Sequence, residues 1–244
     1  MMIDCRKLVA AMVIAVSGSW SANAEPLKQY ELNVNDFTEL KVVGSVNVDY
    51  YTDPDSAGFV TFESTEAVAP MIMVSNKKGK VEIHFVNETG VEIAELPRVT
   101  VRSKFLTKVE NTGDSTLRVM TAAPCPSFTA RAVGNGRLVI RDINANDVSC
   151  SVFTGSGVIV AYGNCTNASL SLTGTGAIQA DGLKASDVKC RNTGTGSIGC
   201  WATDFLNVSG AGSGTIYYRG TPKIKKSLAL GVKVEAIDTA ESGD

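Results

Sequence analysis

Histidine is nearly absent from this sequence: His84 is the only one in 244 residues. That excludes mechanisms pairing a histidine base with a histidine ligand, and the multi-histidine catalytic zinc sites. Charge of one sign is lacking too. With 23 Lys plus Arg against 25 Asp plus Glu, the formal charge is −2, and the chain has no basic footprint for nucleic acid. Glutamate disappears between Glu110 and Glu235, so a carboxylate pair in that stretch has to be built from aspartate. Nowhere does an apolar run approach the roughly 20 residues that a membrane-spanning helix needs, so no transmembrane anchor is expected. What remains is 44% hydrophobic and 20% charged, with 23 glycines. This is enough apolar material for a packed core in one or two domains.

Residues 1–24 read as a signal peptide. Arg6 and Lys7 precede an apolar run of nine, Leu8 to Val16, and Ala22-Asn23-Ala24 offers small residues where a signal peptidase cuts. Cys5 lies before the apolar run, not after it as a lipid-bearing cysteine does. The mature chain is expected to begin near Glu25, to be exported, and to reside in the periplasm or at the cell surface. Removing Asp4, Arg6 and Lys7 leaves 21 basic against 24 acidic side chains, a charge of −3.

Residues 25–98 read as an N-terminal β region. Leu40 to Val48 alternates apolar and polar residues, as a half-buried strand does. Phe59 to Phe62, Met71 to Val74 and Val81 to Val86 are further strand candidates, and Tyr51 to Asp55 reads as a turn. His84 is out of phase with Val81, Ile83 and Phe85, which turns it toward solvent. From residue 99 one phrase recurs. Gly134-Asn135-Gly136, Gly155-Ser156-Gly157, Gly174-Thr175-Gly176, Gly194-Thr195-Gly196 and Gly212-Ser213-Gly214 are each followed by a short apolar alternation. The second glycines stand at 136, 157, 176, 196 and 214, giving steps of 21, 19, 20 and 18, and a degenerate copy at Gly113 precedes them. Another alternating strand comes before each phrase, such as Val148 to Val152.

Short strands with glycine bends at a fixed period near 20 are the pattern of a β-solenoid. Stacked parallel coils bury apolar sides that no single coil can hide, and like positions then lie about 4.8 Å apart. Glycine is expected at corners because it adopts positive φ without steric cost. Residues 99–244 are therefore expected to form the solenoid and its C-terminal cap, with the N-terminal strands covering one end and Leu228 to Ile237 the other. The chain also resembles the head-GIN-domain proteins, a bacterial family labelled auto-transporter adhesins and otherwise a domain of unknown function. The resemblance rests on Phe37, Val42, Gly44, Val46 and Val48, on Gly79-Lys80-Val81-Glu82-Ile83, on the Gly-x-Gly pairs, and on Tyr218-Arg219-Gly220-Thr221-Pro222. Gly113 and Gly231 depart from it by lacking a second glycine. The resemblance implies a right-handed parallel β-helix and brings no catalytic residues.

Two columns are candidate sites. Five residues after each second glycine stand Arg141, Tyr162, Asp181, Trp201 and Arg219; aligned, they would place aromatic rings among hydrogen-bonding charges, which suits carbohydrate or peptide recognition. Asp147, Asn167, Asp187 and Asp204 precede strands and offer oxygens to a cation, but turn chemistry accounts for Asp and Asn there, so no metal and no cofactor is expected. No helix follows the Gly-x-Gly pairs, which sets them apart from phosphate-cradling loops.

Loss of the leader leaves Cys125, Cys150, Cys165, Cys190 and Cys200, an odd set. Column alignment puts Cys125 with Cys165 and Cys150 with Cys190, two coils or about 10 Å apart, beyond the roughly 7 Å limit for a disulfide. They are expected to act as small buried apolar residues. The expected function is an exported, noncatalytic binding or adhesion module of the bacterial cell envelope, with a glycan or an envelope protein as partner. A structural or assembly component of the envelope is the first alternative. A polysaccharide-cleaving enzyme, with an Asp pair as its acids, is the second.

Overall fold

A strand with apolar residues at every second position buries one side and leaves the other polar, and this chain repeats that device throughout. The computed structural model describes residues 26–87 and 98–237; the leader expected over 1–24 lies outside the described residues. In chain order the N-terminal strands are β1 (Lys28–Asn33), β2 (Glu39–Val43), β3 (Asn47–Thr52), β4 (Phe59–Ser64), β5 (Ile72–Lys77), β6 (Lys80–Phe85) and β7 (Arg98–Ser103). Then come β8 (Lys108–Asn111), β9 (Thr116–Val119), β10 (Cys125–Ala132), β11 (Arg137–Phe153), β12 (Val158–Gly174), β13 (Ala177–Gly194) and β14 (Ser197–Ala211). The chain ends in β15 (Thr215–Arg219), β16 (Lys223–Leu230) and β17 (Lys233–Ala236). Together they form a β-solenoid of about six turns with about 20 residues per coil. Register partners Arg137, Val158, Ala177, Ser197 and Thr215 follow at steps of 21, 19, 20 and 18, the series of the glycine spacing.

Each of β11 to β14 carries the chain around most of a coil. In β11 the burial alternation breaks only at Arg141–Asp142 and Asn146–Asp147, where two successive residues are exposed. These bends divide the coil into a first face (137–140), a second (143–145) and a third (148–152). Glycine makes the corner from one coil to the next, as expected, whereas the inner bends are mixed: polar residues make them in β11, Asp142 adopting φ 57, and Gly163 stands at the same bend of β12 with φ 136. At the glycine corner the two glycines differ in backbone conformation. Gly174 has φ +126, whereas a Cβ on Gly176 would stand 2.2 Å from the carbonyl oxygen of Gly157 in the coil below. The first supplies a backbone conformation and is also crowded, a Cβ on Gly174 standing 2.8 Å from the Gly155 carbonyl oxygen, whereas the second is required by the close approach alone.

The core is a set of stacked columns. Leu40, Val109, Ala130, Cys150, Leu170, Cys190 and Val208 line the inside of the third face. Val48, Leu117, Leu138, Ile159, Ile178, Ile198 and Ile216 line the first. All are buried, and each large aliphatic contributes about 1.5–3 kcal/mol over its exposed state. Asn111 and Asn192 interrupt this apolar interior. Asn111 Nδ2 donates to the Ser115 carbonyl at 2.9 Å and its Oδ1 accepts from Gly113 N–H at 3.1 Å; Asn192 Nδ2 donates to Gly196 O at 2.9 Å. Both tie a glycine corner to the strand before it.

The N-terminal part does not wind in chain order. The coil of β2 and β3 lies between β8/β9 on one side and β6/β7 on the other, all parallel. Antiparallel β5, β4 and β1 then close that end. Three coils are joined on the first face by Asp49, which accepts from Arg118 Nε and Nη2 at 2.6 Å each and from Arg98 Nη1 at 3.1 Å. Burial pushes the Asp49 carboxyl up, but the hydrogen bonds and charges of Arg118 and Arg98 outweigh it and hold the group below the usual carboxylate range. His84 sits on an outer face of β6, with Nε2 3.5 Å from Glu82 Oε2.

The opposite end departs from expectation. Residues 228–237 do not form a lid: β16 and β17 add a last parallel coil to β14 and β15. The apolar alternation persists there, with Val234 registered on Ile216, so stacking satisfies those residues as it does the rest. No strand among the described residues covers the outer edge of this coil, and Leu228 and Leu230 are 87% and 72% exposed.

Candidate functional site

The bend between the first and second faces sets the first candidate surface. Because the register shifts there in each coil, the five residues proposed as one column do not form a single straight row. Trp201 is registered on Arg219 above and on Lys184 below. The Arg219 guanidinium carbon lies 5.7 Å from the Trp201 ring centroid and Lys184 Nζ 5.6 Å from it, within cation–π range. The Arg219 Nε is buried without a hydrogen-bond partner among the described residues. Tyr162 faces Gly182 instead of Asp181; its ring occupies the space a Gly182 side chain would need, 2.3 Å from that position, and it is 48% exposed. Asp181 falls in the irregular step between Ala180 and Lys184, and Arg141 in the one between Ile140 and Ile143. The fold thus brings Trp201, Arg219 and Lys184 together, with Tyr162 on the same flank.

The bend between the second and third faces carries the oxygen-rich column. Asp147, Asn167 and Asp187 are in register, whereas Asp204 is one residue out: Phe205 takes its place, followed by Lys223. Asn167 Nδ2 donates to Asp147 Oδ1 at 2.8 Å, a ladder hydrogen bond between coils. Among the described residues no three His, Cys, Asp or Glu side chains converge as metal ligands.

A third surface carried no label in the sequence reading. The outside of the third face presents two ladders, Thr129, Ser149, Ser169, Lys189, Asn207 and Lys225, and beside it Arg131, Ser151, Ser171, Arg191 and Ser209. Two shallow depressions of about 390 and 300 Å³ lie end to end on this face and share Ser169 and Lys189. The signal was present in phrases such as Val148-Ser149-Cys150-Ser151-Val152, where every outward residue is a hydroxyl, but any solvated strand face can read that way.

The cysteines sit where column counting places them. Cys125, Ala145 and Cys165 are successive in register, as are Cys150, Leu170 and Cys190, and all five described cysteines are free. Burial, with Cys165 nearby, pushes the Cys150 thiol up to about 12, and burial and Asp147 push Cys165 up to about 11. Cys190 is raised by its hydrogen bond with Cys200 and by burial. Such thiols stay protonated and behave as small apolar groups.

No helix among the described residues is long and apolar enough to cross a membrane. The solenoid is shared with solved structures: a putative adhesin from Bacteroides fragilis NCTC 9343 is 20% identical with a TM-score of 0.77, covering 88% of this chain and 98% of that one. A putative adhesin from Parabacteroides merdae ATCC 43184 is 21% identical with a TM-score of 0.70, covering 88% and 98%. A putative lipid binding protein from Parabacteroides distasonis ATCC 8503 is also 21% identical with a TM-score of 0.70, covering 87% and 97%. No curated protein matches the chain. The model of the family described as "Putative auto-transporter adhesin, head GIN domain" matches residues 36–222, which span the first buried aromatic, Phe37, and all the glycine pairs, and the chain belongs to that family.

Proposed function

We propose that this protein is an exported, noncatalytic binding or adhesion module of the bacterial cell envelope that recognises an extended carbohydrate or peptide along a flank of its solenoid. Membership of an adhesin family supports the adhesive role. The leader pattern of residues 1–24 supports export to the periplasm or cell surface. The observation that carries the recognition is the Trp201 cluster. One cation from the coil before and one from the coil after hold the ring, so its orientation is set before a ligand arrives. A pre-oriented ring beside hydrogen-bond donors gives apolar contact and direction together. The test is a glycan and peptide array probed with the mature protein and with Trp201→Ala. Binding that the substitution abolishes supports the reading, and an array without any bound member removes it.

Assembly is a second reading, favoured by the uncovered outer edge of β16 and β17 with Leu228 and Leu230 exposed. Unpaired strand edges are templates for further strands. Concentration-dependent association in sedimentation velocity, abolished by Leu228→Lys with Leu230→Lys, is its expected mark.

A further inference from the structure

Charge is segregated along the axis of this solenoid. Residues 26–123 hold 10 basic and 14 acidic side chains, whereas residues 124–237 hold 11 basic and 6 acidic. The near-neutral total conceals this division. Ion pairing follows it: every ion pair among the described residues joins groups between Lys28 and Arg118. None of the basic residues from Arg131 to Lys233 has an acidic partner there. Cations without a contacting acid give this half of the solenoid a local positive excess, 11 basic against 6 acidic side chains.

The third face concentrates this excess in a concave place. Lys189 and Arg191 point outward from β13, both exposed. Ser169 and Ser171 lie one coil below them, Asn207 and Ser209 one coil above, and Lys225 continues the Lys189 ladder. The depression of about 300 Å³ is lined by Ser169, Lys189, Arg191, Asn207, Ser209 and Ser227, with only Cys190 and Val208 beneath them, and no acid lines it. Toward the N-terminal side the second depression prolongs it with Thr129, Ser149 and Asn167, but Asp147 and Asp187 also line it, so the cationic part of the face is the depression around Lys189 and Arg191. Strand geometry sets hydroxyls, amides and cations on a grid of about 4.8 Å along the axis and about 6.7 Å across it.

We infer that the third face is a docking surface for an anionic polysaccharide, whose carboxylate or sulfate groups pair with Lys189 and Arg191 while its hydroxyls meet the Ser and Asn ladders. Arginine and lysine without internal partners bind such groups by charge-assisted hydrogen bonds. Neighbouring hydroxyls and amides donate and accept, as a sugar ring requires. Nucleic acid fits less well because the depression presents no aromatic side chain on which bases stack. A membrane fits less well because the outer lining of the depression of about 300 Å³ is polar and charged, and the exposed Leu228 and Leu230 of the last coil are not part of it. The inference rests on the reading of the protein as a binding module, but not on the Trp201 flank.

The test is affinity electrophoresis and calorimetry of the mature protein with polygalacturonate, dextran sulfate, neutral dextran, single-stranded DNA and anionic phospholipid vesicles. The variants are Lys189→Ala with Arg191→Ala, and separately Trp201→Ala. The expected result is binding to polygalacturonate or dextran sulfate but not to neutral dextran. The double substitution weakens it by on the order of tenfold or more at low salt and makes the slope of log affinity against log salt shallower by about one to two. Polygalacturonate alone identifies a carboxylate ligand, dextran sulfate alone a sulfate one. Trp201→Ala leaves this binding within about twofold while abolishing array binding, so failure of one surface is distinguishable from failure of the other. The inference is overturned if neither charged polysaccharide binds, if neutral dextran, DNA or vesicles bind as tightly, or if the double variant, folded by circular dichroism, binds like the wild type.

Discussion

Replacing Gly176 with alanine would place a methyl carbon 2.2 Å from the Gly157 carbonyl oxygen, where ordinary contact begins at 3.4 Å. Relief requires the two coils to part locally by about 1.2 Å, a quarter of their spacing of about 4.8 Å. The same oxygen accepts the Ala177 N–H at 3.0 Å, and the Gly176 carbonyl accepts from Ser197 at 3.2 Å. Parting therefore stretches at least one ladder bond out of range, a loss of about 0.5–1.5 kcal/mol. Overpacking adds about 1–3 kcal/mol, and the reduced entropy of the unfolded chain returns about 0.4–1 kcal/mol. The net destabilisation is about 0.5–4 kcal/mol, centred near 2, read by urea unfolding followed by far-UV circular dichroism. Gly79→Ala is the control: that glycine has φ +78 and nothing within 4 Å of its missing Cβ, so it costs only the backbone strain of about 1–2 kcal/mol. If Gly176→Ala proves neutral, or milder than Gly79→Ala, the close approach of successive coils is not what holds the corner glycine in place.

Asp49→Asn removes a charge that two arginines compensate, and should lower stability at pH 7 by about 1.5–3 kcal/mol. Because the Asp49 pKa is depressed in the folded state, its contribution is present above the unfolded value near 4 and lost as pH falls through the folded one. Urea midpoints between pH 7 and 2.5 should therefore fall less steeply in the variant; identical slopes would contradict the assignment. Asn111→Ala takes the Oδ1 acceptor from the Gly113 N–H of a buried corner and one of two donors from the Ser115 carbonyl, which keeps the Arg137 N–H, and should cost about 1–3 kcal/mol, whereas Asn135→Ala at an exposed corner should change stability by less than about 0.5 kcal/mol. Mass spectrometry of the mature protein should show five free thiols. Cys125 and Cys165, half-buried, should alkylate before Cys150, Cys190 and Cys200, and two native disulfides would contradict the column spacing.

Much of the architecture was legible because a solenoid writes its period into the chain. The glycine spacing reproduces the observed register step for step, and apolar alternation located the inward columns through Leu138, Ile159, Ile178 and Ile198. Inner bends were not legible, since Arg141–Asp142 and Asn146–Asp147 turn the chain with ordinary polar residues. Those bends absorb one or two residues per coil, which is why counting five from a glycine aligned Tyr162 with Asp181 while the fold sets Tyr162 against Gly182. Nor could counting show that Phe205 takes the register position expected for Asp204. The doubling back of the N-terminal coils and the final coil of β16 and β17 depend on which strand edges find partners, a property of tertiary packing. Of the site, Trp201 and Arg219 were placed on one flank from spacing, whereas the cation pair on the third face needed the axial register that only stacking supplies.

The account depends on equivalent residues lying over one another along a single axis. Pulsed dipolar electron paramagnetic resonance tests that directly in a Cys125→Ser, Cys165→Ser background, with one nitroxide fixed at Lys225→Cys and a second at Lys108→Cys, Thr129→Cys or Ser149→Cys. These sites occupy one outward ladder, six, five and four coils from Lys225. The mean distance should be about 29 Å for the first pair and shorten by about 4.8 Å with each step. Distances that alternate, or that stay unchanged as the label moves by about 20 residues in sequence, would contradict a parallel stack.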